Sequence, residues 1–544
     1  MFLVLLSTIF IVPILMGWGK IMDFFFGQLL TGISGKILSG IFIISLFWTV
    51  LSFFIPLSIY IESITILLGI FFFFKNKLYL NFYQLPKEKV LLLSLITLII
   101  LFCSSFHPFI LDHFGYYIPT IKWLTEYGLV KGISNLDLTL GQMSVWHIFQ
   151  AGFSHFADPF LRINAILLIV YSIYIIEKKS WMQLCFLPIL LLFSQSPSPD
   201  LPVIIFSLII LNEILNSNKN IKLLFAFSAF VFVIKPTMIW LPILAFFYSI
   251  FIIKSNFKNF IPGILIILLF CLKNIWTFGY PVFPVSIGDF GIGWKPNPEM
   301  LKISSQYAIL KTYDMQYSYE KIQNFSGIGY IKNWVFLSGI KSTINILFIV
   351  SLFVFIVFAF IKKNKTISLI CISILIKSIL IILFSAQYRF FIDVFFVIFF
   401  VIFFNYFNRN KSLVIFSALS IFFITFLSFP DFVQQLVPSF RLGNFMTKFD
   451  KSQFYKPADY EYKKFNSFKI GNLKFNVSKN YPYNFDTQLP AISTSFIFDD
   501  VDANIFPQLI DENNMQKGFI WKNLTEKEKK EAENVINTIK STDK

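Results

Sequence analysis

The sequence predicts a mainly α-helical, polytopic transmembrane bundle of about 14 spans, with helices on its outward surface and a small α+β domain at the C-terminal end. Composition is the first reason: 56% of the 544 residues are hydrophobic and only 14% are charged, which is not the composition of a soluble enzyme. The second reason is that apolar runs recur along most of the chain, many of them near the roughly 17 to 25 residues that cross a hydrocarbon layer.

Each apolar run predicts one membrane-spanning helix. The first run lacks the basic flank and the small-residue cleavage site of a signal peptide, so we expect it to be retained as a span. In chain order the runs begin near Phe2, Leu38, Leu57, Val90, Leu161, Trp181, Leu201, Lys222, Thr237, Asn259, Ser342, Thr366, Phe390 and Ser412.

Lysine and arginine occur in alternate connections between the runs, for example at Lys178, Lys254 and Arg409. Basic residues collect in cytoplasmic loops, so these connections are expected on the cytoplasmic side of the membrane and the intervening ones on the outer side. The outward parts would then include a first loop over residues 106–160 and a second, longer loop over residues 273–341.

The sequence divides into a transmembrane domain, residues 1–429, and an extracytoplasmic C-terminal domain, residues 430–544. The second part is polar and rich in aromatic residues. Its stretches FKIGNLKFNVS, residues 468–478, and TSFIFDD, residues 494–500, predict β-structure, and the charged stretch from Thr525 to Lys540 predicts a terminal helix.

The first outward loop holds a polar stretch from Asp112 to Trp146. Pro119 suits the first turn of a helix, and Gly128 can end that helix with a left-handed cap. A second helix is predicted from Met143 to Phe156, with apolar side chains on one face and polar side chains on the other. It is too short to span, so we expect it to lie on the membrane surface with its apolar side down.

Two kinds of site are disfavoured. The formal net charge of +16 is spread along the chain, without the basic, aromatic-interleaved face that nucleic acids require, so no nucleic-acid partner is expected. The four cysteines have no paired spacing, which argues against a disulfide framework and against a zinc site. His147 and His155 form only a weak metal pattern. No cofactor is therefore predicted, and a divalent metal is not indicated.

Four polar motifs follow one another along the chain, each next to an apolar run. Asp112 comes after an apolar run and before the two predicted surface helices, Asp200 lies in SPSPDLP, residues 273–284 form KNIWTFGYPVFP, and Arg389 lies in YRF. This order resembles the GT-C glycosyltransferases, polytopic enzymes that transfer sugars from polyprenyl-phosphate or related lipid carriers outside the cytoplasmic membrane. The resemblance covers residues 90–405 and not the tail.

The stretch from Asp112 to Trp146 and the SPSPD turn are more narrowly similar to an uncharacterised family of bacterial membrane proteins. The resemblance implies a multi-pass protein of the bacterial cytoplasmic (inner) membrane, with its active site and C-terminal domain on the extracytoplasmic side. The sequence departs from the pattern at Tyr117, which follows Tyr116 where many relatives have a histidine. No acidic pair stands at Asp112, which favours a single base over a metal-dependent active site.

The resemblance implies transfer of a sugar from a polyprenyl-phosphate carrier, within membrane lipid, to an extracytoplasmic glycan, lipid or protein by an inverting displacement. Asp112 would be the catalytic base, and Lys235 and Arg389 would hold the phosphate. A helix cap for Asp112 and a snorkelling anchor for Lys235 are the alternative interpretations. The residues expected to bind substrate are Tyr116, Tyr117, Lys122, Asp200, Lys235, Asn274 and Arg389.

Two other functions stay open. A flippase of lipid-linked glycans would also have many spans and buried cations, although the sequence shows no internal repeat. A polysaccharide polymerase or ligase would use a lipid-diphosphate donor and rely on outward arginines, which are scarce here.

Lys377 lies inside an apolar run, where an unpaired ammonium is costly, so we expect it to face a partner or a water-filled cavity rather than to be catalytic.

Overall fold

The structure is a computed structural model that describes residues 1–436, 446–460, 462, 464–479 and 481–542. Within these residues the chain is mainly helical, and its named strands form two antiparallel sheets of two strands each. Most helices pack around one continuous apolar core. The sheets come late in the chain and share a second core with the first predicted loop. The mainly helical class and the small C-terminal sheet region are therefore confirmed.

The α-helices of the first half of the chain include long apolar helices, which arise from the apolar runs, and short helices in the connections. They are α1 (Phe2–Phe26), α2 (Gly32–Leu51), α3 (Ile59–Lys75), α4 (Leu80–Tyr83), α5 (Lys87–Ser104), α6 (Ile118–Glu126), α7 (Val145–Ala151), α8 (Ile163–Lys178), α9 (Trp181–Leu184), α10 (Leu187–Leu190), α11 (Asp200–Leu215) and α12 (Ile221–Ile234).

The second half adds further apolar helices, three helices within the second predicted loop and the mixed C-terminal region. Its elements are α13 (Trp240–Tyr248), α14 (Ile261–Phe278), α15 (Pro298–Thr312), α16 (Tyr319–Gln323), α17 (Gly327–Val335), α18 (Ile340–Lys362), α19 (Lys365–Phe384), α20 (Tyr388–Phe403), α21 (Arg409–Ser428), α22 (Pro430–Leu436), β1 (Phe465–Ile470), β2 (Leu473–Ser478), α23 (Thr494–Asp502), β3 (Ile505–Leu509), β4 (Phe519–Asn523) and α24 (Glu526–Thr542).

Among the described residues, seven helical segments are long and apolar enough to cross a membrane, which is compatible with a membrane protein. The prediction of about 14 spans is not supported. The seven segments are Phe2–Phe26, Gly32–Leu51, Pro236–Ile253, Phe257–Phe278, Ile340–Lys362, Lys365–Phe384 and Arg409–Ser428.

Several of the other apolar runs form helices that are short or interrupted. The run near Trp181 breaks into α9 and α10, of 4 residues each, and α8, α11 and α20 have 16 residues each. A helix of 16 residues reaches only about 24 Å, less than the roughly 30 Å of a hydrocarbon core. Nearly every side chain of α11 is buried by neighbouring protein. Some runs are therefore apolar because they pack inside the bundle.

The predicted surface helix from Met143 to Phe156 is wrong in both length and setting. α7 has only 7 residues, and all its side chains are buried in protein. Side chains of both faces find partners inside the protein: from the apolar face the Trp146 indole donates to Asn164 Oδ1 at 2.9 Å, and from the polar face the Gln150 amide donates to Asp158 Oδ2 at 3.1 Å. The amphipathic pattern belongs to a helix whose polar side chains lie inside the protein rather than in water. Among the described residues, Gln150 Nε2 has a partner there, whereas Gln150 Oε1 and His147 Nε2 have none.

The C-terminal region contains both predicted and unpredicted elements. Residues 468–478 lie in the β1–β2 hairpin, whose turn holds Gly471 at φ 60°, as predicted. Residues 494–500 belong to α23 rather than to a strand, with Ile497 and Asp500 on its buried face. α24 confirms the predicted terminal helix. The second hairpin, β3–β4, is antiparallel.

The C-terminal region packs against the first predicted loop. Tyr116, Tyr117 and Trp123 share one apolar core with side chains of both hairpins, among them Phe475 and Phe506. Backbone hydrogen bonds also join the two parts, from Phe485 N to Phe114 O at 3.2 Å and from Phe519 N to Lys131 O at 3.0 Å. The turn after Asp112 is thus in contact with the C-terminal region through both side chains and backbone.

Candidate functional site

Asp112 lies between α5 and a wide π-helical turn formed by His113–Tyr117. π-helical turns are rare and are frequent at functional sites. The Asp112 carboxylate pairs with the Arg389 guanidinium, with 2.8 Å between Oδ2 and Nη1. Arg389 belongs to the first turn of α20. The ion pair therefore joins the first predicted loop to the start of a late helix.

A second ion pair lies beside the first. Asp200 begins α11, and its carboxylate pairs with the ammonium of Lys235, which ends α12. Lys235 is extended and Pro236 follows it, which ends the helix at this point. Lys235 Nζ also donates to the backbone carbonyl of Arg389 at 3.3 Å. Asp112, Asp200, Lys235 and Arg389 are called the charge cluster below.

The charge cluster is open on one side. The side chains of Asp112 and Arg389 are 28% and 33% exposed, whereas those of Asp200 and Lys235 are each 12% exposed. The Phe390 ring lies 5.3 Å from Lys235 Nζ and 5.6 Å from Arg389 Cζ, so it supports both cations. A ligand would approach from the side of Asp112 and Arg389.

The cations keep Asp200 ionised despite its burial. Burial alone would raise the pKa of Asp200, but the charges of Lys235 and Arg389 and a hydrogen bond from Ser198 Oγ, 3.2 Å from Oδ2, hold it below its usual value. Within the described residues, the buried Nε of Arg389 has no hydrogen-bond partner. This N–H is an unsatisfied donor at the charge cluster.

Tyr116 and Tyr117 are buried next to the charge cluster. Burial raises the pKa of both phenols, and the negative charges of Asp112 and Asp200 raise it further. Both hydroxyls are therefore protonated at any physiological pH. The Tyr117 ring packs 4.8 Å from the ring of His147.

His113 and His147 add no positive charge to this region. Burial and the charge of Arg162 hold the pKa of His113 well below its usual value, and burial and the charge of Lys273 lower the pKa of His147 to about 3. His113 Nδ1 lies 3.2 Å from Ser196 Oγ. Both rings are neutral, so the positive charge at the site comes from Lys235 and Arg389.

Two of the residues predicted to bind substrate lie elsewhere. The Lys122 ammonium pairs with the carboxylate of Asp486 and donates to its backbone carbonyl at 2.8 Å, which ties α6 to the C-terminal region. The Asn274 amide donates to Pro281 O at 2.9 Å and stabilises the loop after α14. Neither residue contacts the charge cluster.

Lys377 has a partner, as the sequence predicts, and that partner is Asp393. Lys377 Nζ lies 2.5 Å from Asp393 Oδ1, and the Trp240 indole donates to Asp393 Oδ2 at 3.2 Å. The local signal for this partner is an acidic residue within the apolar run of α20, one turn after Arg389. The pair links α13, α19 and α20 beneath the charge cluster.

A cavity of about 110 Å³ lies where α15, α18 and the start of α20 meet, and Tyr388, the residue before Arg389, is part of its wall. Lys311, Asp314 and Lys341 also line it. None of the four residues of the charge cluster lines this cavity. In the part of the chain that the structure describes, no three His, Cys, Asp or Glu side chains are grouped to hold a metal ion.

Comparison with curated proteins found no match, and comparison with solved structures found none. A family model described as a domain of unknown function, DUF8201, matches residues 1–396. The match includes all four residues of the charge cluster and ends within α20. Because it spans well over half of the 544 residues, the chain belongs to the DUF8201 family.

Proposed function

We propose that this protein is an integral-membrane glycosyltransferase of the bacterial cytoplasmic membrane, which moves a sugar from a polyprenyl-phosphate carrier to an extracytoplasmic acceptor. The observation that carries the proposal is the charge cluster, which places one partly exposed carboxylate, Asp112, beside two cations, Lys235 and Arg389. Glycosyl transfer from a lipid phosphate needs a base for the acceptor and cations for the phosphate.

The position of the charge cluster supports a lipid phosphate as ligand. The C-terminal end of α12 and the N-terminal ends of α11 and α20 meet there, so the cluster lies at one end of a helical bundle. A lipid phosphate lies at the corresponding boundary of a membrane. The N-terminal ends of α11 and α20 add partial positive charge that favours an anion.

In the proposed step, the acceptor hydroxyl gives its proton to the Asp112 carboxylate while its oxygen attacks the anomeric carbon. The bond from that carbon to the phosphate oxygen breaks, and its electron pair leaves with polyprenyl phosphate. Attack opposite the leaving group inverts the anomeric centre. Protonation of Asp112 changes the charge cluster from formally neutral to a net positive charge as the phosphate gains negative charge. The cluster therefore stabilises the charge that develops during transfer.

The decisive variant is Asp112→Asn, which keeps the shape of the side chain but removes the proton acceptor. Release of polyprenyl phosphate from a labelled lipid-linked sugar, measured with purified protein in liposomes, should fall by roughly 10² to 10⁴, as for loss of a general base. Asp431→Asn is a matched control, because that carboxylate is 65% exposed and pairs with Lys448 at 3.1 Å. It should leave transfer unchanged.

Undiminished transfer by the Asp112→Asn protein would remove Asp112 from the mechanism. The same liposomes separate the rival functions. Movement of the lipid-linked sugar across the bilayer without any transfer would instead identify a flippase, and transfer only from a lipid-diphosphate donor would identify a polymerase or ligase.

A further inference from the structure

Four half-buried tyrosines of the C-terminal region gather against the turn that follows Asp112. Tyr481 and Tyr483 have ring centroids 5.5 Å apart, and Tyr462 lies 5.9 Å from Tyr481. Tyr460 completes the group beside Phe114, at 5.8 Å. We call Tyr460, Tyr462, Tyr481 and Tyr483 the tyrosine platform.

Two buried phenylalanines form a rigid base for the tyrosine platform. Phe485 lies 4.3 Å from the Tyr481 ring and 5.3 Å from the Tyr462 ring, and it packs 4.5 Å from Phe114. The backbone hydrogen bond from Phe485 N to Phe114 O, 3.2 Å long, fixes this base on the π-helical turn. The platform is thus joined to the turn that follows Asp112.

Tyr483 lies against the turn that follows Asp112. A carbon of its ring lies 3.6 Å from the position that a Cβ would take at Gly115, three residues after Asp112. Burial raises the pKa of Tyr483, and the charge of Asp112 contributes to that rise. The hydroxyl of Tyr483 makes no hydrogen bond to the described residues.

Two carboxylates, Asp459 and Asp486, lie beside the tyrosine platform, and each has a cation near it: the charge of Arg162 acts on Asp459, and Lys122 pairs with Asp486. Asp459 precedes Tyr460 and is exposed, and its charge interacts with that of Asp486. Asp486 is 34% exposed and pairs with Lys122. Carboxylates repel a phosphate but accept hydrogen bonds from neutral hydroxyl groups.

We propose that the tyrosine platform binds a sugar ring, with the apolar face of the ring on Tyr481 and Tyr483 and its hydroxyls toward Asp459 and Asp486. A pyranose combines an apolar C–H face with a polar edge, which matches aromatic side chains rimmed by carboxylates. This proposal rests on the proposed function, in which a sugar must lie beside Asp112. The sugar belongs either to the acceptor or to the donor.

The test is saturation-transfer-difference NMR on the full chain in nanodiscs, with a panel of methyl hexopyranosides and methyl N-acetylhexosaminides as probes. We expect protein-to-sugar transfer with the wild type, at least a fivefold loss with Tyr483→Ala, and retention with Tyr483→Phe, which keeps the ring. Tyr83→Ala is the control, because Tyr83 is 83% exposed and outside the platform. Equal signals from the wild type and Tyr483→Ala, or no signal from the wild type with any probe, would overturn the proposal.

The transfer assay identifies the source of the sugar. A raised KM for the acceptor with Tyr483→Ala assigns the platform to the acceptor, and a raised KM for the donor assigns it to the donor. Unchanged KM values for both substrates would refute the platform while the glycosyltransferase stands. Sugar binding that depends on Tyr483 in a protein without transfer activity would refute the glycosyltransferase while the platform stands.

Discussion

Arg389 contacts three neighbouring residues, Asp112, Lys235 and Phe390. Its guanidinium pairs with Asp112, its carbonyl accepts a hydrogen bond from Lys235, and its side chain lies over Phe390. A planar guanidinium can hold Asp112 through one nitrogen while another binds a phosphate oxygen, which a lysine ammonium cannot do in the same geometry. The identity of this cation therefore matters as much as its charge.

We expect Arg389→Ala to raise the KM for the lipid-linked donor by roughly 10- to 150-fold, the equivalent of about 1.5 to 3 kcal/mol for a hydrogen bond to a charged group. Arg389→Lys should recover only part of this loss, because it keeps the charge without the fork of donors. Steady-state release of polyprenyl phosphate at varied donor concentration measures both effects.

Arg409→Ala is the matched control, since Arg409 is 44% exposed and pairs loosely with Glu88 at 3.5 Å. It should leave the donor KM unchanged. A donor KM that is insensitive to Arg389→Ala would show that the phosphate does not bind at the charge cluster.

Sequence reasoning identified the members of the charge cluster because each lies at the end of an apolar run. Ends of helices on the same side of a bundle lie close together, so Asp112, Asp200, Lys235 and Arg389 could be grouped without a structure. The same reasoning did not reveal the ion-pair partner of Lys122, because Asp486 is 364 residues away. Contacts between distant loops have no local signal in the sequence.

The pair of Lys377 and Asp393 holds helices rather than substrate. Their side chains are 1% and 5% exposed, and Asp393 also accepts a hydrogen bond from Trp240. α19, α20 and α13 are therefore joined one turn below Arg389. The pair positions α20, and with it the guanidinium that faces Asp112.

We expect Lys377→Met to lower the free energy of unfolding by about 3 to 5 kcal/mol, because it leaves the Asp393 carboxylate buried without a countercharge. The double variant Lys377→Met, Asp393→Asn should regain most of that stability, since the amide stays neutral and can still accept from Trp240. Thermal unfolding in detergent, followed by tryptophan fluorescence, measures the difference.

Lys365→Met is the control on the same helix, because Lys365 is exposed at the start of α19. The melting temperature of the Lys365→Met protein should match that of the wild type. A double variant less stable than Lys377→Met alone would show that the loss of stability in Lys377→Met does not come from an uncompensated Asp393 carboxylate.

The sequence predicts most helices well but not their surroundings. Apolar runs mark helices wherever the run is long, yet α11 and α8 are apolar because protein surrounds them. The polarity pattern of α7 predicted contact with water, whereas Gln150 meets Asp158 inside the core. Periodicity reports which faces of a helix differ, and only the fold determines what each face contacts.

At the scale of the whole molecule, the first predicted loop and the C-terminal region form one packed unit. Besides their shared apolar core, a buried hydrogen bond joins them: Ser493 Oγ donates to Asp137 Oδ2 at 3.1 Å. Burial raises the pKa of Asp137 to about 6, although hydrogen bonds from Thr139 and Ser493 oppose this rise. Asp500, also buried, interacts with the charge of Asp137.

Docking of the C-terminal region should therefore depend on pH through Asp137. Its pKa is higher in the folded protein than the usual value of about 3.9, so its contribution to stability is present below about pH 4 and is lost as the pH rises through about 6. Relative to Asp137→Asn, the wild type should lose roughly 3 kcal/mol between pH 4 and pH 7. Unfolding midpoints at several pH values, compared between the two proteins, measure this.

Asp502→Asn is the control for this comparison, because it removes a carboxylate of α23 that is not buried. Its stability should change with pH in parallel with the wild type. If Asp137→Asn also runs parallel to the wild type, the junction of the loop and the C-terminal region does not titrate through Asp137.

The DUF8201 match ends within α20, while the tyrosine platform comes from the chain beyond it and rests on Phe114 and Phe485, which bury each other's rings. A chimaera that grafts the C-terminal region of a relative onto residues 1–396 of this chain would have to bring a matching surface for Phe114 and Lys122. We therefore expect substitutions at the contact between the two parts to occur together, and a chimaera to fold stably only when both sides of that contact come from the same protein.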